Sequence, residues 1–600
     1  MRERRAALRT KAARLRKNTK ETMMATLYTG GTIRTMTAPD ATVEALLTDD
    51  RGHIVFAGDL EQARDRARSM VTVGARHPEE RDLAGACLMP GFIDSHSHFA
   101  GMGQRLTDAD LAGCADFAEI GTRLKTFLAA HPLPAGGVLH GFNYDQNELA
   151  EGVHPDRHVL DALLGDVPTV IAHVSGHVII CNTALLKLIG LDLEQAEVPA
   201  GGVYGRDDNG ELNGYFAETP AIMPILMHPA VMPKQGIEGL VGAIQDEYAS
   251  HGITTCQDGA TAPGYAERFV KLAEAHTLKL DLTCYPMMGQ DLDAVFDSVG
   301  SYASGGTSEG IQYLNHLRFG GVKLFVDGSP QARGAWLSEP YRPLPASAHA
   351  NANASEPAGY RGAGILSDEA MRAFLDHALE RGWKVMAHCN GDAASEQFLT
   401  QYTAAYRASS KPDKFDLRPV MVHCQLTRRD QYARMAAVHM IPSIFVSHCW
   451  FWGDAHIKNL GFERASRISA VRDALSYNLP FTFHTDSPIV PPDLIFAAWC
   501  AMTRVTKYGV ALDQTQCVGA WEAFGAITRN AAYQYGEEAR KGTLEAGKLA
   551  DMTILDTDPL AVSTQPGPHD PQQDRAEAAV RVRKLHVLET IKEGTTVWTA

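Results

Sequence analysis

The chain has 600 residues, 45% of them apolar and 21% charged, with a formal net charge of −15. That composition suits a globular protein with a buried core, and its acidic balance excludes the basic face that nucleic-acid phosphates require. No run approaches the roughly 20 uninterrupted apolar residues of a membrane span, so a small neutral or cationic molecule is a better expected partner than nucleic acid or membrane.

The first segment, MRERRAALRTKAARLRKNTK, carries nine Lys/Arg against one Glu. Only ETMMATLYTGG follows it, with no apolar stretch of the kind an export signal needs. Residues 1–24 therefore read as a basic disordered tail, with Met23 and Met24 just ahead of the first strand-like segment. From Ala25 to Leu88, short segments such as ATLYTGGTIRTM and ATVEALLTDDRGHIVFAGD, punctuated by Gly and Asp-Arg-Gly, predict a small β unit. Ten cysteines are scattered along the chain without a CxxC pair. That usage points to a reducing, cytoplasmic setting.

Beyond Phe92 the texture changes to short apolar runs, each followed by a polar or Gly-rich turn and then a helical pattern, as in βα units on a parallel sheet. Eight such runs occur: GFIDSHSH (91–98), GITTCQD (252–258), LKLDLTCYP (278–286), GGVKLFVDG (320–328), WKVMAHCNGD (383–392), RPVMVHCQL (418–426), HMIPSIFVSH (439–448) and LPFTFHTDSP (479–488). AERFVKLAEAH (266–276) and DEAMRAFLDHALERG (368–382) are helical patterns between them, the second with Ser367 as its N-cap. The prediction is an α/β fold, a TIM-like (β/α)8 barrel over 89–542 whose catalytic face gathers the C-terminal strand ends. Roughly 150 residues separate the first two runs, too many for one βα connection, so an inserted subdomain is expected at about 104–240. The stretch 344–364, rich in Ala, Asn, Ser, Pro and Gly, is expected as a loop on the same face, either a lid or plain surface.

Side chains alternate along a strand, so His96 and His98 of GFIDSHSHF project from one face. Other strand ends contribute Lys323, His388, His423 and Asp486. Singly, a strand-end histidine is most often a hydrogen-bonded core residue; four histidines, a lysine and an aspartate on one rim supply donors suited to zinc or a similar divalent metal. Asp327 shares a face with Lys323 and is an alternative ligand. His448 and His484 lie beside this set. Arg333, in GSPQARGAW, is a candidate to bind a substrate carboxylate or to pair with a loop acid. Trp450, Phe451 and Trp452 offer either an apolar wall or core packing. No phosphate loop, dinucleotide fingerprint or Ser-His-Asp order is present in the sequence.

Taken together, GFIDSHSHF, AHCNGDAA, VHCQL, HTDSPIVPP and KGTLEAGKLADMTILD resemble the metal-dependent amidohydrolase superfamily, in the branch containing N-substituted formamide deformylases, over nearly the whole chain from Ala25. The resemblance implies that 25–88 and 543–600 form a composite β-sandwich beside the barrel. It implies that His96, His98 and Asp486 bind one metal and His388 and His423 a second, two zinc ions in all. Lys323 would carry a carbon dioxide-derived carbamate that bridges them. Desolvation beside cations favours a neutral amine, and a neutral amine can add carbon dioxide to become an anionic ligand; left unmodified, Lys323 would leave room for one metal. The implied activity is hydrolysis of the C–N bond of a small non-peptide amide or N-substituted formamide by metal-activated water, Asp486 taking a proton and returning it to the leaving nitrogen. His177, in VSGHVIICN, is similar to a histidine lining substrate pockets in this branch, with a structural role as the alternative. Ester, lactone or amidine hydrolysis on the same site and a non-catalytic scaffold are the competing readings, and homo-oligomer formation is compatible with each.

Overall fold

A computed structural model describes residues 25–72, 77–134, 136–199, 201–232, 236–304, 311–343, 358–411, 413–561 and 571–600. The basic segment 1–24 and residues 344–357 of the Ala/Asn-rich stretch lie outside the described residues.

Nine strands carry the centre of the molecule: β1 (Phe92–Ile93), β2 (Ile253–Thr261), β3 (Asp281–Pro286), β4 (Leu317–Phe319), β5 (Gly321–Phe325), β6 (Lys384–Cys389), β7 (Val420–His423), β8 (Ile441–Ile444) and β9 (Thr482–Phe483). They form two parallel sheets, in the orders β4-β3-β2-β1 and β5-β6-β7-β8-β9. Every residue of β3, β6, β7 and β8 is buried, because helices cover one face and the interior the other. This is why these strands read as unbroken apolar runs rather than alternating ones. Each of the eight predicted runs contains strand, and β4 and β5 are two halves of one segment. The break falls at Gly320, and at Gly321, which opens β5, a Cβ would stand 2.2 Å from the Lys384 carbonyl oxygen, so only glycine lets the backbone pass. The first half pairs with β3, Leu317 opposite Leu282, and the second with β6, Lys323 opposite Met386.

The free edges of the two sheets meet through hydrogen bonds beyond the strand ends. Ser95 Oγ donates to the Phe483 carbonyl at 2.9 Å, Asp486 N to the His96 carbonyl at 3.0 Å and His98 N to the Ser487 carbonyl at 2.7 Å. Helices connect the strands. The Asp368–Arg381 helix starts at Ser367, whose Oγ accepts from Ala370 N at 3.2 Å, and stops at the left-handed Gly382. Its buried stripe is Met371, Leu375, Ala378 and Leu379, the spacing of one helical face.

Both chain ends build one six-stranded sheet, in the order 595–599, 587–592, 552–555, 87–90, 32–34, 42–43. It shares an apolar cluster with a four-stranded sheet of 54–58, 45–48, 26–29 and 79–82: Tyr28, Leu46 and Ile54 from the smaller sheet pack with Ile33, Leu88, Ile554 and Leu588 from the larger. Between β1 and β2 the chain folds a further six-stranded sheet, which runs from 109–110 to 212–217 and is filled by Leu124, Leu139, Ile171 and Ile180. One of its hairpins, 169–173 with 178–181, turns at residues 174–177 over the C-terminal ends of the parallel strands. Val174 of that turn packs with Phe445, Trp452, Ile489 and Val490. No helix among the described residues is long and apolar enough to cross a membrane.

Candidate metal centre

The six residues picked from strand ends converge. His96 and His98 follow β1, and their Nε2 atoms stand 3.4 and 3.2 Å from Asp486 Oδ1. Lys323, in the middle of β5, reaches His96 Nε2 with its Nζ at 3.0 Å. The His388 ring, near the end of β6, lies edge-on to that of His423, the last residue of β7, with centroids 4.5 Å apart, and the His423 ring is 5.7 Å from that of His96. Ligand atoms of His96, His423 and Asp486 all fall within 4.8 Å of one another.

Hydrogen bonds behind the histidines set their tautomers. Gln257 in the middle of β2 donates from Nε2 to the Ser95 carbonyl and to Tyr535 Oη, so its Oε1 is an acceptor, 2.7 Å from His96 Nδ1. The ring proton of neutral His96 therefore sits on Nδ1, and the Nε2 lone pair faces Lys323 and Asp486. His423 Nδ1 faces His484 Nε2 at 3.1 Å, whereas His388 Nδ1 stands 3.3 Å from Asp327 Oδ1 without a hydrogen bond to it. Burial pushes His96, His388 and His423 well below the ordinary imidazole range, reinforced by the neighbouring cationic groups, and neutral imidazole is the ligating form. Burial likewise brings Lys323 down to about 7. Asp486 is different: burial would raise its carboxyl, but His98, His484 and Lys323 hold it below the usual value, ionised.

The fit to a divalent cation rests on atoms this packing leaves over. Asp486 Oδ1 is buried and has no hydrogen-bond partner although two imidazole nitrogens face it. A buried carboxylate oxygen is rarely left so unless something else neutralises it. Asp281, His316 and Glu593 also come together, but Lys541 and Lys592 already pair with Asp281, and Lys592 with Glu593 at 2.9 Å. That second cluster has its cations built in.

Asp327, Arg333 and the three aromatics after β8 take these places. Asp327 does not offer its carboxylate as a ligand: it accepts from the backbone N–H of Trp336, Asn390 and Gly391 at 3.0, 2.9 and 2.7 Å and backs His388 instead. Arg333 donates to the Arg342 carbonyl at 2.8 Å and to Asn459, and its guanidinium lies 4.8 Å over the Tyr341 ring. These contacts hold it within its own part of the fold. Of the three aromatics after β8, Trp450 and Phe451 pack on Phe496 of the Leu494–Thr503 helix, while Trp452 donates to Asp145 Oδ2 of the inserted segment at 3.2 Å.

His177 does reach the centre. Its ring centroid is 4.9 Å from that of His388, and its Nδ1 is 3.0 Å from Glu218 Oε2, which raises its pKa against the effect of burial. Glu218 and Gln257 escaped the sequence reading. Gln257 lies within the predicted run 252–258, but nothing local marks it as a partner of His96, and nothing near Glu218 in sequence marks that residue.

Imidazoles, a carboxylate and a desolvated lysine gathered at the ends of parallel strands define a metal-dependent hydrolase. The sequence pattern of the amidohydrolase family matches residues 79–598, and the chain belongs to that family. The N-substituted formamide deformylase of Arthrobacter pascens is 24% identical over 572 residues, spanning 94% of this chain and 96% of that protein. YtcJ of Bacillus subtilis (strain 168), itself named only as an amidohydrolase, is 25% identical over 593 residues, 95% of this chain and 98% of its own. Among solved structures, an uncharacterized metal-dependent hydrolase from Pyrococcus horikoshii OT3 superposes with a TM-score of 0.68 at 25% identity, covering 91% of this chain and all of that one.

Proposed function

We propose that this chain hydrolyses the C–N bond of a small non-peptide amide or N-substituted formamide, on two divalent ions, zinc by the choice of donors. The observation that carries the reading is the buried, unpartnered Asp486 Oδ1 between the Nε2 atoms of His96 and His98. His96, His98 and Asp486 would hold one ion, His388 and His423 the other, and carbamylated Lys323 would lie between them; the lowered pKa of Lys323 supports it, since the neutral amine is the form that adds carbon dioxide. On this reading the two parallel sheets are one (β/α)8 barrel, β4 and β5 counting as a single strand, with the sheets of the two chain ends as a composite β-sandwich and the inserted sheet as a separate lobe over the mouth. All ten cysteines are free and buried, which suits the cytoplasm.

When bound, such ions supply Lewis acidity, acidifying water and polarising a carbonyl. The chain's own residues do the rest. Asp486, kept ionised, accepts the proton of the attacking water and returns it to the leaving nitrogen, a role its place beside the ligands permits. His177, braced by Glu218, bounds the space before His388 and orients the substrate. The A. pascens relative supports the formamide substrate.

The test is metal per chain in the purified protein, together with turnover on a panel of N-substituted formamides, N-acyl amines and lactones. Two ions and hydrolysis of a formamide or amide are expected, with His388→Ala losing one ion. Lactone hydrolysis alone, or an unchanged stoichiometry in the variant, overturns the assignment.

A further inference from the structure

His423 Nδ1 begins a chain of polar atoms that leads away from the metal centre into the protein. It lies 3.1 Å from His484 Nε2; His484 Nδ1 lies 2.8 Å from Ser443 Oγ; Ser443 Oγ lies 3.1 Å from Ser95 Oγ; and Ser95 Oγ donates to the Phe483 carbonyl at 2.9 Å. His423 and the other three side-chain members are all buried.

The far end of this chain determines its direction. A carbonyl oxygen only accepts, and a serine hydroxyl has one proton. The Ser95 proton is used on Phe483, so Ser443 must donate to Ser95. The Ser443 proton is then used as well, so His484 Nδ1–H must donate to Ser443. Neutral His484 is left with a lone pair on Nε2, and that lone pair can only accept from His423 Nδ1–H. No step depends on a proton moving.

We propose that His484, Ser443 and Ser95 form a one-way hydrogen-bond relay that fixes the tautomer of His423 and aims its Nε2 lone pair at the metal. The inference rests on the metal-dependent reading above and goes beyond it. It gives His484, which stands beside the ligands without being one, the part of a positioning residue, and it extends that part to two serines on β8 and just past β1. Partners of this kind, which orient a ligating histidine through its other nitrogen, are worth about ten- to a hundredfold in metal affinity.

The experiment has two readouts, neither of which needs a substrate. In metal-free protein labelled with ¹⁵N-histidine, with His423→Asn assigning the signal, His423 should carry its proton on Nδ1. Zinc binding by chelator competition should then weaken about ten- to a hundredfold in His484→Phe and by less in Ser443→Ala. His484→Gln should restore most of it, since an amide can accept from His423 and donate to Ser443. A proton on His423 Nε2 overturns the relay. Equal zinc affinity in His484→Phe and His484→Gln overturns it too, because it would leave His484 as packing alone. If the wild-type protein binds no zinc, the proposed function falls, and the tautomer measurement still decides the relay.

Discussion

At the C-terminal ends of the parallel strands, ionisable groups are buried with atoms to spare: Asp486 Oδ1 and His388 Nδ1 have no hydrogen-bond partner, and Lys323 touches an imidazole rather than a carboxylate. At the opposite ends of the same strands, Asp281 opens β3 against Lys541 and Lys592. Lys592 reaches Asp551 at 3.0 Å, and Glu537 pairs with Lys541 and Arg318 at 2.7 and 3.1 Å. Both clusters are buried. In the second, each carboxylate has a cation at contact distance; burial alone would raise the Asp281 carboxyl, yet Lys541 and Lys592 hold it well below its usual range. In the first, the lysine is driven toward neutrality and the histidines are kept uncharged. Burial is common to both, so it does not mark the site. What marks it is charge left uncompensated by the protein.

Substitutions at the two ends should separate function from stability. Asp486→Asn keeps the shape and removes the proton acceptor; turnover should fall by about 10²- to 10⁴-fold, while the thermal midpoint stays within a degree or two of wild type. Comparable loss of both would place Asp486 among the structural pairs. Asp281→Ala should do the reverse. It strands Lys541 and Lys592 in the interior and should cost about 3–5 kcal/mol of stability by denaturant titration, leaving metal per chain unchanged in the molecules that remain folded. Loss of metal at full stability would mean that the two ends are not independent.

Much of the candidate site was legible because its histidines and Asp486 close apolar runs, and in a sheet buried on both faces a polar residue at a run's end stands out; Lys323 lies within its run. HSH after GFIDS, AHC, VHC and HTD all show this. The residues that govern those ligands were not legible. Gln257 lies 161 positions from His96, Ser443 lies 348 from Ser95, and Glu218 lies 41 from His177, so no local pattern links them. Asp327 misled for a related reason: its strand position is right for a ligand, but three backbone N–H groups from the turn at 390–391 and from Trp336 converge on it, and those turns follow from the tertiary fold. The fold was readable to the same depth: the strand runs were visible, whereas the short strand Leu317–Phe319 just before the run at 320–328 was not, and the close approach of Gly321 to Lys384 depends on a residue 63 positions on.

The smallest expected effect sharpens the contrast through pH. The ordinary lysine value is 10.5, and burial lowers Lys323 to about 7 in the folded protein. Between these values the unfolded chain holds a proton that the folded chain has released, so the stability of the metal-free protein rises as pH rises through about 7. Below that point both states are protonated, the slope vanishes and the cost of burying the ammonium is fully present. Lys384, also lowered to about 7 by burial, contributes in the same direction and is common to wild type and variant. Subtracting denaturation curves of Lys323→Met from wild type, between about pH 6 and 8, should therefore leave a slope approaching 1.4 kcal/mol per pH unit. Asp281 adds nothing in that window, because its carboxyl is ionised in both states there; its contribution is present above the ordinary carboxylate range and is lost only as pH falls through its depressed folded value. Identical slopes for the two proteins would mean that Lys323 keeps its charge in the fold, and that the two ends of the strands treat a buried ammonium alike.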